Sequence, residues 1–300
     1  MTTERTATWS NIGSSSVDEK SVQATLLGAN LDYNVITRPA LTTYNDQLIE
    51  IPNRLVTMRE DTGEVFGVVS DRYQVCQNRD ALEFVQYIQD VKITKVGETR
   101  PGSLYLITEL PEMTLLGDKI KPNLIFSNSH DGGGSVMSTI CMLRLVCQNQ
   151  FARVFKESPA TMSISHRGNM ESKLTAAKET LIRTHEYMQD YSQRVTAMAS
   201  KKITPKKFND ILAQVFFMNP ENSERTNLRI ADQRASFERI YDADDNQNFK
   251  GTQWGIINAL GDFITHEVPA RLTENWEINR FVNTIGTSRL QEVVELVRAA

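Results

Sequence analysis

Short apolar and polar runs alternate at a period of two through the first half of the chain, and apolar positions recur at helical spacing through the second. Tyr33 to Arg38 reads as a strand. Arg54 to Arg59 and Val65 to Val69 are β-branched runs joined by Glu60-Asp61-Thr62-Gly63-Glu64, a link whose length and glycine predict a hairpin. Asn78 is the expected N-cap of a helix to Ile88, because Ala81, Leu82, Phe84, Val85 and Ile88 fall on one face. Further strands are expected over Ile93–Glu98, Ser103–Glu109, Lys119–Ser127 and Val136–Val146.

Past Phe151 the texture is helical. Met170 to Ser200 has neither Gly nor Pro, and Pro205 suits the first turn of a helix to Phe217. Other helices are predicted at Val22–Leu27, Ile230–Tyr241, Thr252–His266, Trp276–Asn283 and Ser288–Ala299. Strands first and helices after give an α+β chain. Its N-terminal half is an antiparallel sheet with packed helices and its C-terminal half is helical. The division expected is an arm over 1–20, a β-rich α+β domain over 21–170 and a helical region over 171–300.

Composition narrows the function. Forty per cent hydrophobic and 23% charged residues fit a globular chain, with no apolar run near the length of a membrane span. The first residues lack a signal-peptide pattern, so an intracellular setting is expected. Cys76, Cys141 and Cys147 are odd in number and not in CxxC spacing, which argues against disulfides and structural zinc and for buried thiols. The net charge of −4 disfavours indiscriminate nucleic-acid binding, yet from Arg144 to Arg183 seven bases meet only three acids. Lys201–Lys207 is a second basic cluster.

The stretch SHDGGGS, Ser129 to Ser135, is the most distinctive local signal. No P-loop or GxGxxG spacing is present and the run behind it is rich in strand formers, so it reads as a hairpin loop. Gly132, Gly133 and Gly134 can still form an anion-binding nest of backbone amides, with His130 and Arg144 near. Catalysis by His130 and Asp131 is disfavoured because neighbours in a strand point to opposite faces. His130, His166, His185 and His266 show no metal-ligand spacing, and no nucleophile elbow occurs, so neither a metal nor a cofactor is expected. In SISHRGN, Asn169 or Ser165 is a candidate cap for the long helix, which would bring His166, Arg167 and Asn169 to its positive end, a place for a phosphate. Tyr73 is a candidate base-stacking ring, and Asn149 a polar group at a strand end able to bond backbone or a base edge.

REDTGEVFGVVSDRYQVCQN, SNSHDGGGS, LRLVCQN, ISHRGN and GTQWGIINAL together resemble a phage- and plasmid-associated family, the domain of unknown function number nine-three-two, also called the phage/plasmid-like protein family. The resemblance runs from about Asn34 to Asn258 and implies a mobile-element setting in the host cytoplasm, without an established activity. A strand hairpin followed by a helix also resembles part of the fold of phage single-strand annealing proteins, which are usually rings. The expectation is therefore a non-enzymatic, homo-oligomeric protein that binds single-stranded DNA in annealing or recombination. Arg144, Arg153, Arg167 and Lys173 would meet phosphates, and Tyr73, His166 and Asn149 would lie nearby. The alternative is a factor that binds a host protein, for takeover or anti-defence.

Overall fold

A computed structural model describes residues 21–88, 90–144, 149–152, 162–182, 184–267 and 288–299. The N-terminal half is mostly strands and the C-terminal half helices, an α+β arrangement with antiparallel sheets.

The first sheet is a ribbon of β1 (Val35–Tyr44), β2 (Gln47–Arg59) and β3 (Val65–Ser70) in that order. Its β2–β3 hairpin is the one that the Glu60–Glu64 link predicts. The β1–β2 hairpin goes beyond the predicted elements. It turns on Asn45 and Asp46, with φ of 48° and 61°, the left-handed pair that a two-residue turn matched to strand twist requires. The ribbon therefore starts a hairpin earlier than the β-branched runs alone indicate.

The second sheet runs β10 (Met162–Ile164), β8 (Val136–Arg144), β7 (Asp118–Ser129), β5 (Ser103–Glu109), β4 (Lys92–Arg100). The short β6 (Met113–Leu115) pairs with β7 and β9 (Asn149–Ala152) with β8. These two and β10 are three or four residues long, too short to show as periodic runs. β5 and β7 explain the sheet's position: alternate side chains Leu104, Leu106, Leu124 and Phe126 are at most 1% exposed, and the intervening Tyr105, Ile107 and Ile125 are buried as well. A strand buried on both faces needs cover on both.

One side of that cover comes from α1 (Val22–Gly28), capped by the Ser21 hydroxyl, and α2 (Asn78–Leu82), which tightens into a 3-10 turn over Glu83–Tyr87. Asn78 is the first helical residue rather than the cap. Its side chain is buried and donates to the Leu31 carbonyl at 3.1 Å instead. Gln77 before it clamps β1, accepting from the Val35 amide at 2.9 Å and donating to the Val35 carbonyl at 3.0 Å.

The helices that follow are α3 (Met170–Ile182), α4 (Thr184–Ser200), α5 (Pro205–Val215), α6 (Glu224–Tyr241), α7 (Gln253–His266) and α8 (Ser288–Ala299). Thr204, Ser223 and Thr252 cap α5, α6 and α7 with their hydroxyls. α6 begins at Glu224, ahead of the predicted Ile230, because its first turns are polar and carry no apolar periodicity. Tyr187, Tyr191, Phe237, Trp254 and Ile257 form the centre of this half, and its buried residues belong to one hydrophobic core with those of the sheet. The predicted arm over 1–20 and the helix over 276–283 lie outside the described residues. No helix among the described residues is long and apolar enough to cross a membrane.

Candidate nucleic-acid interface

The ribbon and the large sheet meet at the loop that carries the glycine triplet. Thr57 of β2 donates its hydroxyl to the His130 carbonyl at 2.6 Å. Gly67 of β3 lies against the Asp131 backbone, where a Cβ would stand 2.5 Å from the carbonyl oxygen. Gly102 makes room for the Phe66 ring, and Tyr33 beneath it is hydrogen-bonded to Glu98 and covered by the Arg59 guanidinium 4.4 Å from its centroid. Chain-distant pieces converge here because the residues at the crossing are small enough to let the backbones approach.

The loop does hold an anion, and it is the loop's own. Asp131 accepts from the Gly133 amide at 2.9 Å and from the Ser129 hydroxyl at 2.6 Å, and Arg100 ion-pairs with it. Burial works against the charged carboxylate. The Ser129 hydroxyl, the Gly133 and Gly134 amides and Arg100 outweigh it and hold Asp131 below the usual carboxylate range. Within the expected phosphate nest over Gly132, Gly133 and Gly134, the Gly133 and Gly134 amides thus serve the loop's own Asp131 carboxylate. Gly132 takes φ of 80° and packs on β3.

His130 is likewise not at a surface. It is fully buried, and its Nε2–H donates to Asn78 Oδ1 at 3.0 Å. That direction is fixed because Asn78 spends its amide nitrogen on Leu31 and so turns its oxygen inward. Asn128 spends its amide protons on the Cys76 carbonyl at 2.9 Å and on the same Asn78 oxygen at 3.1 Å. His166 donates Nδ1–H to the Gln74 carbonyl at 3.1 Å. Asn128 Oδ1, His130 Nδ1 and His166 Nε2 remain as buried acceptors with no partner among the described residues. Burial, with His166 beside it, pushes His130 down to about 3, and burial lowers His166 too. Both imidazoles are neutral at physiological pH, so the expected phosphate contact by His166 or His130 is corrected to a buried polar knot. No group of three or more His, Cys, Asp or Glu among the described residues could hold a metal. Cys76 beside the knot is buried, and its thiol is pushed up to about 12, first by burial and then by Asp80. It is no nucleophile.

The surface lies just outside this knot. The chain leaving β3 runs Asp71-Arg72-Tyr73, and Tyr73 forms an antiparallel bridge with Arg167. The Tyr73 ring stacks on His166 at 4.8 Å, and its hydroxyl donates to the Ser129 carbonyl at 3.3 Å. One ring face and the hydroxyl are therefore committed inward, and the ring of Tyr73 is half-buried. Arg167 is exposed beside it, and Lys173 in the first turn of α3 is anchored by donating to the Arg167 carbonyl at 2.6 Å. Asn169 caps that turn, accepting from the Ser172 amide at 3.0 Å.

Two further exposed arginines, absent from the residues that the sequence pattern singles out, join this rim. Arg72 adjoins Tyr73, and Arg54 pairs in register with Ser70 at the end of β3. No ion pair engages Arg54, Arg72 or Arg167 among the described residues. The only sequence signal for Arg72 is its adjacency to Tyr73. Arg54 has none, because register is invisible in one strand. Arg144 and Asn149, by contrast, face each other across β8 and β9 at the far end of β8. β10 pairs with Val136–Ser138, so Arg167 lies beyond the near end, about 25 Å away at strand rise. The fold thus does not gather Arg144 and Asn149 into one compact site with Arg167, Lys173 and Tyr73. Arg153 lies outside the described residues.

Such a molecule is an α+β protein with a cationic rim over a neutral buried polar knot. The chain matches the model of the family described as Domain of unknown function (DUF932) over residues 65–284, most of its length, and it belongs to that family. No curated protein and no solved structure matches it.

Proposed function

We propose that the protein is a non-enzymatic single-stranded DNA-binding protein of a mobile genetic element, acting in annealing or recombination. The observation that supports this reading most is the rim of Arg54, Arg72, Arg167 and Lys173 on a chain whose net charge is −4. Arg54, Arg72 and Arg167 make no ion pair among the described residues, with exposed Asp71 and Glu171 close to them in the chain, and polyanionic phosphate would give these bases a partner while releasing counterions. Tyr73 adjoins Arg72 in the chain and Arg167 across the bridge, and its half-buried ring is the aromatic group beside which a base would lie. Arg144 lies on the continuation of the same sheet, so a strand of several nucleotides could run from the rim along β8.

The test is anisotropy of labelled single-stranded DNA over a range of salt. Arg72→Glu with Arg167→Glu should weaken binding and flatten the salt dependence by about 0.7 for each phosphate no longer neutralised. Unchanged affinity and slope would remove the rim as the interface.

A further inference from the structure

Lys173 lends its charge to the rim, but its side chain is not placed like those of the three arginines. Arg54, Arg72 and Arg167 are exposed, whereas Lys173 is half-buried. Its ammonium donates to the Arg167 carbonyl at 2.6 Å and, more weakly, to the Ser165 carbonyl at 3.4 Å. An ammonium carries three donors, so most of the hydrogen-bonding capacity of Lys173 is spent on backbone.

The cause is local. Side chains on a helix lean toward its N-terminus, so the Lys173 stem runs back past the Asn169 cap to the segment before α3. A cation at that end of a helix faces the positive pole of the macrodipole. The two carbonyl oxygens beyond the cap offset that repulsion. Both belong to one turn: the Arg167 amide donates to the Ser165 carbonyl at 2.7 Å, and the His166 carbonyl between them accepts from the Gln74 amide at 2.9 Å. The carbonyls of Ser165, His166 and Arg167 are all engaged, and Gly168 then turns the chain toward the helix with φ of 70°. The backbone that bears Arg167 is thus held at successive residues, while its side chain makes no ion pair among the described residues.

We infer that Lys173 is a positioning residue: it holds the Ser165–Arg167 turn so that Arg167 meets an anionic ligand on a backbone already ordered, and it does not itself contact that ligand. Order present in the free protein is not charged against binding. The identity of the ligand, a phosphate of single-stranded DNA, rests on the function proposed above.

Two measurements on the full chain test it. The first is hydrogen exchange without DNA. Lys173→Gln should speed exchange of the Gln74 and Arg167 amides about fivefold, as expected for the loss of one bond that braces their turn. The second is a double-mutant cycle by anisotropy at physiological salt, where screening over about 8 Å limits the direct effect of the lost charge. Lys173→Gln should weaken DNA binding about fivefold in the wild type. In the Arg167→Ala background, whose backbone keeps the turn, it should change affinity by less than about twofold. A direct phosphate contact would instead give equal losses in both backgrounds and overturn the inference, as would unchanged exchange in Lys173→Gln. A wild type that binds no DNA overturns the DNA reading itself, and the exchange measurement still decides whether Lys173 holds the turn.

Discussion

The rings of Tyr73 and His166 lie 4.8 Å apart and 15° from parallel, although the residues are separated by most of the large sheet in sequence. This stack ties the exit of β3 to the segment before α3, where the Tyr73 and Arg167 backbones lie side by side in an antiparallel bridge. Tyr73→Phe keeps the stack and loses the hydroxyl bond to Ser129, at about 1 kcal/mol. Tyr73→Ala loses the stack as well, at about 2–3 kcal/mol. Denaturant unfolding measures both. A Tyr73→Ala protein of unchanged stability but weaker DNA affinity would show that the ring serves the ligand and not the fold.

Stability should depend on pH through the histidine knot. His130 is held near 3 in the folded chain against 6.5 in the unfolded one, so the unfolded state takes up a proton first as pH falls. The stability is therefore complete above 6.5 and is lost as pH falls from there toward 3, at about 1.4 kcal/mol per pH unit per proton. His166 shifts in the same direction and adds to the slope. Unfolding free energy measured at a series of pH values should fall across this window, and His130→Gln should flatten the decline.

Gly67→Ala should destabilise the junction of ribbon and sheet. The added Cβ would lie 2.5 Å from the Asp131 carbonyl oxygen, a backbone atom that no rotamer change can move. The expected cost is about 1–3 kcal/mol. Thermal unfolding of the variant beside Gly28→Ala, where a Cβ meets open space, separates crowding from the general effect of losing a glycine.

Cys76 should resist alkylation in the native protein and react on unfolding, since burial removes both access and thiolate. Peptide mapping after iodoacetamide reads this residue separately from Cys141 and Cys147. Modification of Cys76 at native pH 7 without loss of structure would contradict its placement beside the knot.

Sequence alone determined the α+β order, the β2–β3 hairpin and the bounds of β5, and narrowed the cap of α3 to Asn169 or Ser165, because each rests on contacts between residues close in the chain. It also picked out Tyr73, His130, His166, Arg167 and the glycine triplet as a distinctive set. Which of these face water was settled by long-range packing. Thr57 and Gly67 from the ribbon close over the loop, Asn78 and Asn128 turn inward to meet His130, and Asp131 fills the amide cradle. Sheet register brought Arg54 and Arg72 to the rim and carried Arg144 to the opposite end of β8. A period-two pattern states that a residue lies on a face. Only the pairing of strands states which residues share that face, and only burial decides whether a polar group there meets a ligand or its own backbone.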